Sequence, residues 1–235
     1  MRRIFIGDVQ GCLLQLDVLL RAVRPRSDDR LYSVGDLVNR GPDSLGVLRR
    51  VREFGMRVVL GNHDLHLLRL AARPARSSRH GHLQAVLAAP DRTELLAWLA
   101  AQPVMIVEDD LVAVHAGLHP AWRDLPAVAA ELNAAVGTPA RHSDPRIAFV
   151  TEVRYCDAEG RRPPQDDPPP GPPFVPWDHF YRGRRTVVFG HWARRGLVMR
   201  PRLRGLDSGC VYGGTLTAWI AEEDRLVQVA GWRGD

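Results

Sequence analysis

Lysine is absent from this 235-residue chain, so all 32 basic residues are arginine. That excludes Schiff-base catalysis and the lysine of a P-loop. The net charge of +5 and the sequence pI of about 9.7 accompany an excess of arginine, alanine and proline. This reads as compositional bias before it reads as a nucleic-acid footprint, although an arginine-rich rim suits any polyphosphate. Cysteine is scarce: Cys12, Cys156 and Cys210 are odd in number, far apart and in no C-x-x-C spacing. A disulfide framework and a thiolate zinc site are excluded, which leaves three reduced packing residues. No run approaches the roughly 18 apolar residues of a membrane helix, and Met1-Arg2-Arg3 enters a strand directly, so a cytoplasmic location is the expectation.

What the chain does have is a repeated device. Leu31 to Val34 is an apolar run followed by Gly35-Asp36-Leu37-Val38-Asn39-Arg40-Gly41, which puts a carboxylate at a strand end and a guanidinium just past a turn. A lone Gly-Asp is ordinarily a turn glycine and a helix cap; the argument rests on recurrence. Ile4-Phe5-Ile6 precedes Gly7-Asp8, Val58-Val59-Leu60 precedes Gly61-Asn62-His63-Asp64, Val112-Ala113-Val114 precedes His115, and Val187-Val188-Phe189 precedes Gly190-His191. Runs of Val, Ile and Leu without alternation imply strands buried on both faces, hence an α/β fold with helices over a sheet. Ligands in such folds bind at the carboxyl ends of strands, where all five groups fall.

Asp8, Asp36, Asn62, His115 and His191 offer two carboxylates, an amide oxygen and two imidazoles, a donor set for Mn, Fe, Zn, Co or Mg rather than for copper-thiolate or iron–sulfur chemistry. Two ions bridged by Asp36 would activate a water and stabilise both oxygens of an in-line phosphoryl displacement. Arg40 is placed to clamp the phosphate, and His63, in an extended or turning segment, to protonate the leaving oxygen.

Elsewhere, Leu13, Leu16, Leu20 and Val23 mark a helix ended by Pro25, Pro42-Asp43-Ser44 opens a second, and Leu65 to Ala72 reads as a short third. Arg73 to Gly81 reads as a surface loop, with His80 and His82 in or just beyond it. Thr93 to Ala101 is helical, Pro103 to His115 is a hairpin, and Pro126 to Val136 is a helix. Arg161 to Pro176 holds eight prolines and can be neither helix nor central strand. The length fits one domain, 1–235, with residues 124–176 as a reduced cap and proline-rich loop. His66, His119 and His179 read as structural, and Trp122, Trp177 and Tyr212 as packing or rim aromatics.

The blocks Gly7-Asp8-Val9-Gln10-Gly11, Gly35 to Gly41, Gly61-Asn62-His63-Asp64, His115-Ala116-Gly117 and Gly190-His191 resemble the calcineurin-like metallophosphoesterases of the phosphoprotein phosphatase type. Asp64 in place of glutamate, Leu65-His66-Leu67-Leu68, and Leu206-Asp207-Ser208-Gly209-Cys210 with Gly213-Gly214-Thr215-Leu216-Thr217 resemble the symmetric bis-nucleosyl tetraphosphatases within that superfamily. The resemblance implies a two-layered β-sheet core flanked by helices, two divalent ions with activation by Mn or Co, and cleavage of diadenosine tetraphosphate into two ADP. It makes Gln10 a sixth metal ligand where the phosphatase pattern has histidine, with a weaker first metal site expected. Asn39 stands where protein phosphatases place an aspartate beside the catalytic histidine; it can orient His63 by hydrogen bonding but not stabilise its charged form as a carboxylate would, and Asp64 and Asp207 are the candidates to substitute there, with neither placed by the sequence. His63, Asp64 and Arg40 are the catalytic set, and Arg40, Asn39 and Arg154 the substrate contacts. Only Val153-Arg154-Tyr155-Cys156 of the family's longer cap insertion is recognisable, which opens the pocket to other dinucleoside polyphosphates, phosphoproteins or capped RNA ends. A metal-dependent protein phosphatase and a non-catalytic polyphosphate- or RNA-binding module remain the other readings.

Overall fold

A computed structural model describes residues 1–72 and 81–234; the loop expected from Arg73, with His80, lies outside these except for Gly81. Among the described residues twelve strands run in chain order: β1 (Arg3–Ile6), β2 (Arg30–Ser33), β3 (Arg57–Val58), β4 (Met105–Val107), β5 (Leu111–Val114), β6 (Tyr155–Cys156), β7 (Val175–Pro176), β8 (Thr186–Phe189), β9 (Val198–Arg200), β10 (Leu203–Gly205), β11 (Thr215–Ile220) and β12 (Arg225–Ala230). The α-helices among the described residues are α1 (Leu13–Val23), α2 (Ser44–Glu53), α3 (Asn62–Ala71), α4 (Gln84–Ala88), α5 (Arg92–Ala100), α6 (Leu125–Val136) and α7 (Pro145–Glu152).

Ten of the strands form two five-stranded sheets, ordered β12-β11-β1-β2-β3 and β4-β5-β8-β10-β9. Each sheet has a parallel trio, β1, β2 and β3 in one and β5, β8 and β10 in the other, with antiparallel strands at its margins. The strands are apolar on both faces because both faces are covered. On β1, Phe5 joins Tyr32, Val59, Ala113, Val188 and Trp219 in a layer between the sheets, whereas Ile4 and Ile6 join the helix-facing core with Leu16, Leu19 and Leu48. The alternation of β-strand side chains thus splits one apolar run between two packing layers. Phe5 stacks on Tyr32 with ring centroids 4.5 Å apart and tilts against Trp219 at 5.7 Å.

The helices obey their local signals. α1 buries Leu16, Leu19, Leu20 and Val23 and stops where Arg24 turns left-handed at φ 50° before Pro25. Asp43 caps α2 by accepting the Gly46 N–H at 2.7 Å. Two elements differ from the sequence reading. α3 begins at Asn62 rather than Leu65, so Asn62 and His63 occupy a helix's first turn instead of an extended segment. α7 fills part of the expected cap, and its Asp144 cap accepts the Arg146 N–H at 2.8 Å. The proline-rich stretch is irregular until Val175–Pro176, which pairs with Tyr155–Cys156 as a two-stranded ribbon.

Phe5→Ala, at a side chain wholly removed from solvent, is expected to cost about 3–5 kcal/mol in denaturant unfolding. At the edge of β1, Asp29 accepts hydrogen bonds from the Arg2 backbone N–H and Nε and from the Arg26 N–H at 2.8–3.0 Å. The Arg2 guanidinium holds its carboxyl below the usual range. The stability it contributes is therefore present above the unfolded value of about 3.9 and is lost as pH falls. Asp29→Asn should flatten the acid limb of stability against pH and leave neutral-pH activity intact.

Candidate active site

The parallel trio of each sheet ends on the same pocket. β1, β2 and β3 lead to Asp8, Asp36 and Asn62; β5, β8 and β10 lead to His115, His191 and Asp207. The Asp8 and Asp36 carboxylates and the Asn62 amide arrive from one sheet, and both imidazoles, with the Asp207 carboxylate, from the other. Ligand atoms of Asp8, Asp36 and His115 lie within 4.8 Å of one another, and all three residues are buried. Asn62 Oδ1 sits 3.2 Å from His115 Nε2 and 3.0 Å from His191 Nδ1.

The far nitrogens of the imidazoles set their tautomers. His115 Nδ1 donates to the Val34 carbonyl at 2.7 Å, and His191 Nε2 to the Glu152 carbonyl at the end of α7, at 3.0 Å. Each ring therefore turns its other nitrogen toward Asn62 Oδ1, so that three lone-pair-bearing atoms face one another. Such a cluster requires a proton or a cation at its centre. Backbone-bonded far nitrogens are the usual support of metal-binding histidines.

The electrostatics require the same. Burial, with Asp207 and Asp36 nearby, pushes the Asp8 carboxyl well up, and burial raises Asp207 to about 6. Burial would also raise Asp36, but His115 outweighs it and holds that carboxylate ionised. Burial would lower His115, yet Asp36, 3.4 Å from its Nε2, holds its proton up to about 10. The proton on His115 neutralises charge that a divalent ion would neutralise more fully, and the oxygen and nitrogen donors fit such an ion.

The loops that carry these groups are laced together and strained. Gln10 N–H donates to the Asp36 carbonyl at 2.8 Å, Gly11 N–H to Leu37 at 2.9 Å and Gly41 N–H to Gln10 at 2.8 Å. Among the described residues, eight non-glycine residues have positive φ, and Gln10, Asp36, Asn39, Arg40 and His191 are five of them. Such conformations cost about 1–3 kcal/mol each and persist where their surroundings impose them. At two of the glycines a side chain would collide with a cluster carboxylate. A Cβ on Gly61 would lie 2.1 Å from Asp36 Oδ1, and one on Gly190 would lie 1.9 Å from Asp8 Oδ1.

Each remaining site expectation has a definite outcome in the structure. Gln10 lines the pocket but turns its amide nitrogen to Asp36 Oδ2 at 3.3 Å, rather than an oxygen to the cluster. His63 lies in the first turn of α3; its N–H donates to Asp36 Oδ1 at 2.9 Å, and its Nε2 is 3.8 Å from Oδ2. Its partner is Asn39, whose Nδ2 is 2.8 Å from His63 Nδ1. Asp64 is neither that partner nor a pocket group. It is fully buried and accepts the Leu37 N–H at 3.0 Å and the Gly61 N–H at 2.9 Å, which joins the Asp36 loop to α3. Asp207 does not pair with His63 either; it stands by Asp8 with Gly209 N–H on its Oδ1 at 3.1 Å. Arg40 lies over the Tyr212 ring at 5.8 Å. Arg154 reaches the pocket but is engaged by Asp166 at 3.0 Å. Sequence reasoning missed the Glu152 carbonyl, because a backbone acceptor leaves no trace in residue type. It also left Asp207 out of the cluster, although Leu206-Asp207 follows a strand as Gly7-Asp8 does.

Gly190→Ala must displace the Asp8 carboxylate. It is expected to weaken Mn affinity about tenfold or more in calorimetric titration with little loss of melting temperature. Gly171→Ala, whose Cβ meets nothing within 4 Å, should leave the affinity unchanged.

With this geometry in view, known proteins are informative. The profile of the calcineurin-like phosphoesterases matches residues 1–195. The symmetrical bis(5'-nucleosyl)-tetraphosphatase of Aromatoleum aromaticum is 40% identical over 259 aligned positions, covering 95% of each chain. That of Ralstonia nicotianae is 42% identical, covering 91% of this chain and 87% of its own. A crystal structure described as a diadenosine tetraphosphatase superposes with a TM-score of 0.76 at 34% identity, over 99% of this chain and 95% of its own. A serine/threonine phosphatase of Saccharomyces cerevisiae shares the fold at a TM-score of 0.53 and 12% identity, over 100% of this chain and 81% of its own. The first alignment is longer than the chain itself, so that relative carries residues with no counterpart in this chain. By the family profile and by relatives at about 40% identity, this chain belongs to the calcineurin-like phosphoesterases.

Proposed function

We propose that the chain hydrolyses diadenosine tetraphosphate symmetrically, releasing two ADP, with Mn as its working metal. Asp8, Asp36, Asn62, His115 and His191 would hold two divalent ions, with Asp36 shared. Gln10 can join them after its amide rotates. When bound, the ions supply an activated water and neutralise charge on the transferring phosphoryl group. Arg40, with no carboxylate partner among the described residues, contributes a guanidinium for a phosphate oxygen.

The observation that carries the reading is the environment of His63. The Arg40 N–H donates to Asn39 Oδ1 at 2.9 Å, which fixes the amide and directs its NH2 at His63 Nδ1. That nitrogen must accept, so the proton resides on Nε2, the atom nearer Asp36 and the cleft. Burial pushes the His63 pKa down, and nearby Arg40 and His115 oppose the help of Asp36. The residue is thus held as a neutral Nε2–H donor. A departing ADP oxygen is a weak base and needs only such a hydrogen bond. A serine alkoxide is a strong base and needs a proton in full, which an aspartate at position 39 would help His63 to deliver. Asn39 therefore favours a phosphoanhydride over a phosphoserine ester. The yeast phosphatase likeness speaks for the fold alone.

The test is product analysis with Mn. ADP is expected as the sole product, and turnover should stop with chelator and fall about a hundredfold or more in His63→Asn; ATP plus AMP, or phosphopeptide turnover alone, would overturn the reading. Asn39→Asp would place a carboxylate on His63, raise its pKa and keep it protonated to higher pH. Turnover of a phosphoserine peptide should then rise relative to that of diadenosine tetraphosphate in this variant, because the leaving alkoxide needs the full proton that the imidazolium carries.

A further inference from the structure

The cleft that leads out from the metal cluster, about 820 Å³ in volume, is lined by three arginines in unequal states. Arg40 rests on Tyr212 and has no anionic partner among the described residues. The other two, Arg154 and Arg194, are held by adjacent residues of the proline-rich stretch. Arg154 Nη1 donates to both oxygens of Asp166, at 3.0 and 3.2 Å, and Arg194 Nη1 donates to Asp167 Oδ2. Both carboxylates also line the cleft.

This stretch is a stiff support. Prolines 163, 164, 168, 169 and 170 flank the acidic pair, so its backbone has little freedom left to lose. Its ends are tied down. Arg162 pairs with Glu152 at 3.2 Å on one side; on the other, Val175 and Pro176 pair with β6, and the Trp177 N–H donates to the Arg154 carbonyl at 3.0 Å. A carboxylate offers an arginine the same anionic oxygens as a phosphate. The pairs remain partly open to water, the side chains of Arg154 and Asp166 being 34% and 28% exposed and those of Arg194 and Asp167 77% and 60%. Such pairs are weak and exchange readily with a competing anion.

We propose that Asp166 and Asp167 are specificity-determining residues, built-in competitors that occupy Arg154 and Arg194 until a polyphosphate displaces both. A ligand with one phosphate gains one arginine at most and leaves the strap seated. A chain of phosphates takes both arginines together and moves the carboxylates aside. The two aspartates thereby weaken binding of the long substrate, which must displace both, more than that of orthophosphate or a mononucleotide, which displaces one at most. The inference rests on the polyphosphate reading of the cleft given above.

The test compares the wild type with the double variant Asp166→Asn/Asp167→Asn and with Asp91→Asn. The last removes a remote exposed partner of Arg49 and should change nothing. The wild type and double variant are assayed with Mn for KM and kcat on diadenosine tetraphosphate and for inhibition by orthophosphate. With two part-exposed pairs removed, KM is expected to fall about three- to tenfold at nearly constant kcat. Orthophosphate inhibition should tighten by less than that, because one released arginine at most serves it, and a larger gain for orthophosphate than for the long substrate would contradict the inference. Arg154→Gln and Arg194→Gln should each raise KM. An unchanged or raised KM in a double variant of unaltered melting temperature would overturn the inference and leave the hydrolase reading standing. Absence of turnover in the wild type would overturn both.

Discussion

Asp8, Asp36 and Asp207 repel one another across a pocket that gives each of them almost no water. Burial of uncompensated like charge is among the most costly arrangements a protein can hold. Here it is offset locally: the His115 proton faces Asp36, and the N-terminal turn of α3 turns the His63 N–H onto the same carboxylate. What remains uncompensated is an affinity for cations. The repulsion among these carboxylates is a driving force for cation binding, which is why the donors are buried rather than displayed.

The geometry that permits this comes from two sheets rather than one. Each contributes the carboxyl ends of three parallel strands, and the aromatic layer around Phe5, Tyr32 and Trp219 fixes their separation. The loops beyond the strand ends are then forced into left-handed conformations at Gln10, Asp36, Asn39, Arg40 and His191. Asp64 bears much of that constraint: it is buried, it ties Leu37 to Gly61, and burial next to Asp36 raises it to about 7. An acidic residue at the third position of a helix beside a metal cluster reads as catalytic from sequence, but its work here is to hold two loops in register.

The legible part of the sequence was the part governed by local pattern. Apolar runs ending in Asp8, Asp36, Asn62, His115 and His191 announced buried strands and a common edge, and the structure brings all five together. Helix starts such as Asp43 and stops such as Pro25 were equally readable. What escaped depended on atoms without side-chain identity or on long-range contact. The helical start at Asn62 depends on Asp64 reaching back to the Gly61 N–H, and the Glu152 carbonyl that orients His191 arrives from α7, distant in sequence. Trp177 and Tyr212 both read as packing or rim aromatics, and only the structure separates them: Trp177 is buried against Phe189, whereas Tyr212 lines the cleft below Arg40.

Convergence of the five strand ends that carry Asp8, Asp36, Asn62, His115 and His191 on one dinuclear cation site is the first half of the proposed function, and tuning of that site to anhydrides by Asn39 beside His63 is the second. The first half is tested most directly by anomalous diffraction from crystals grown with Mn. Two peaks are expected, one among Asp8, Asp36 and Gln10 and the other among Asn62, His115 and His191, with Asp36 touching both. A single peak remote from Asp36, or none at saturating Mn in catalytically active crystals, would contradict it.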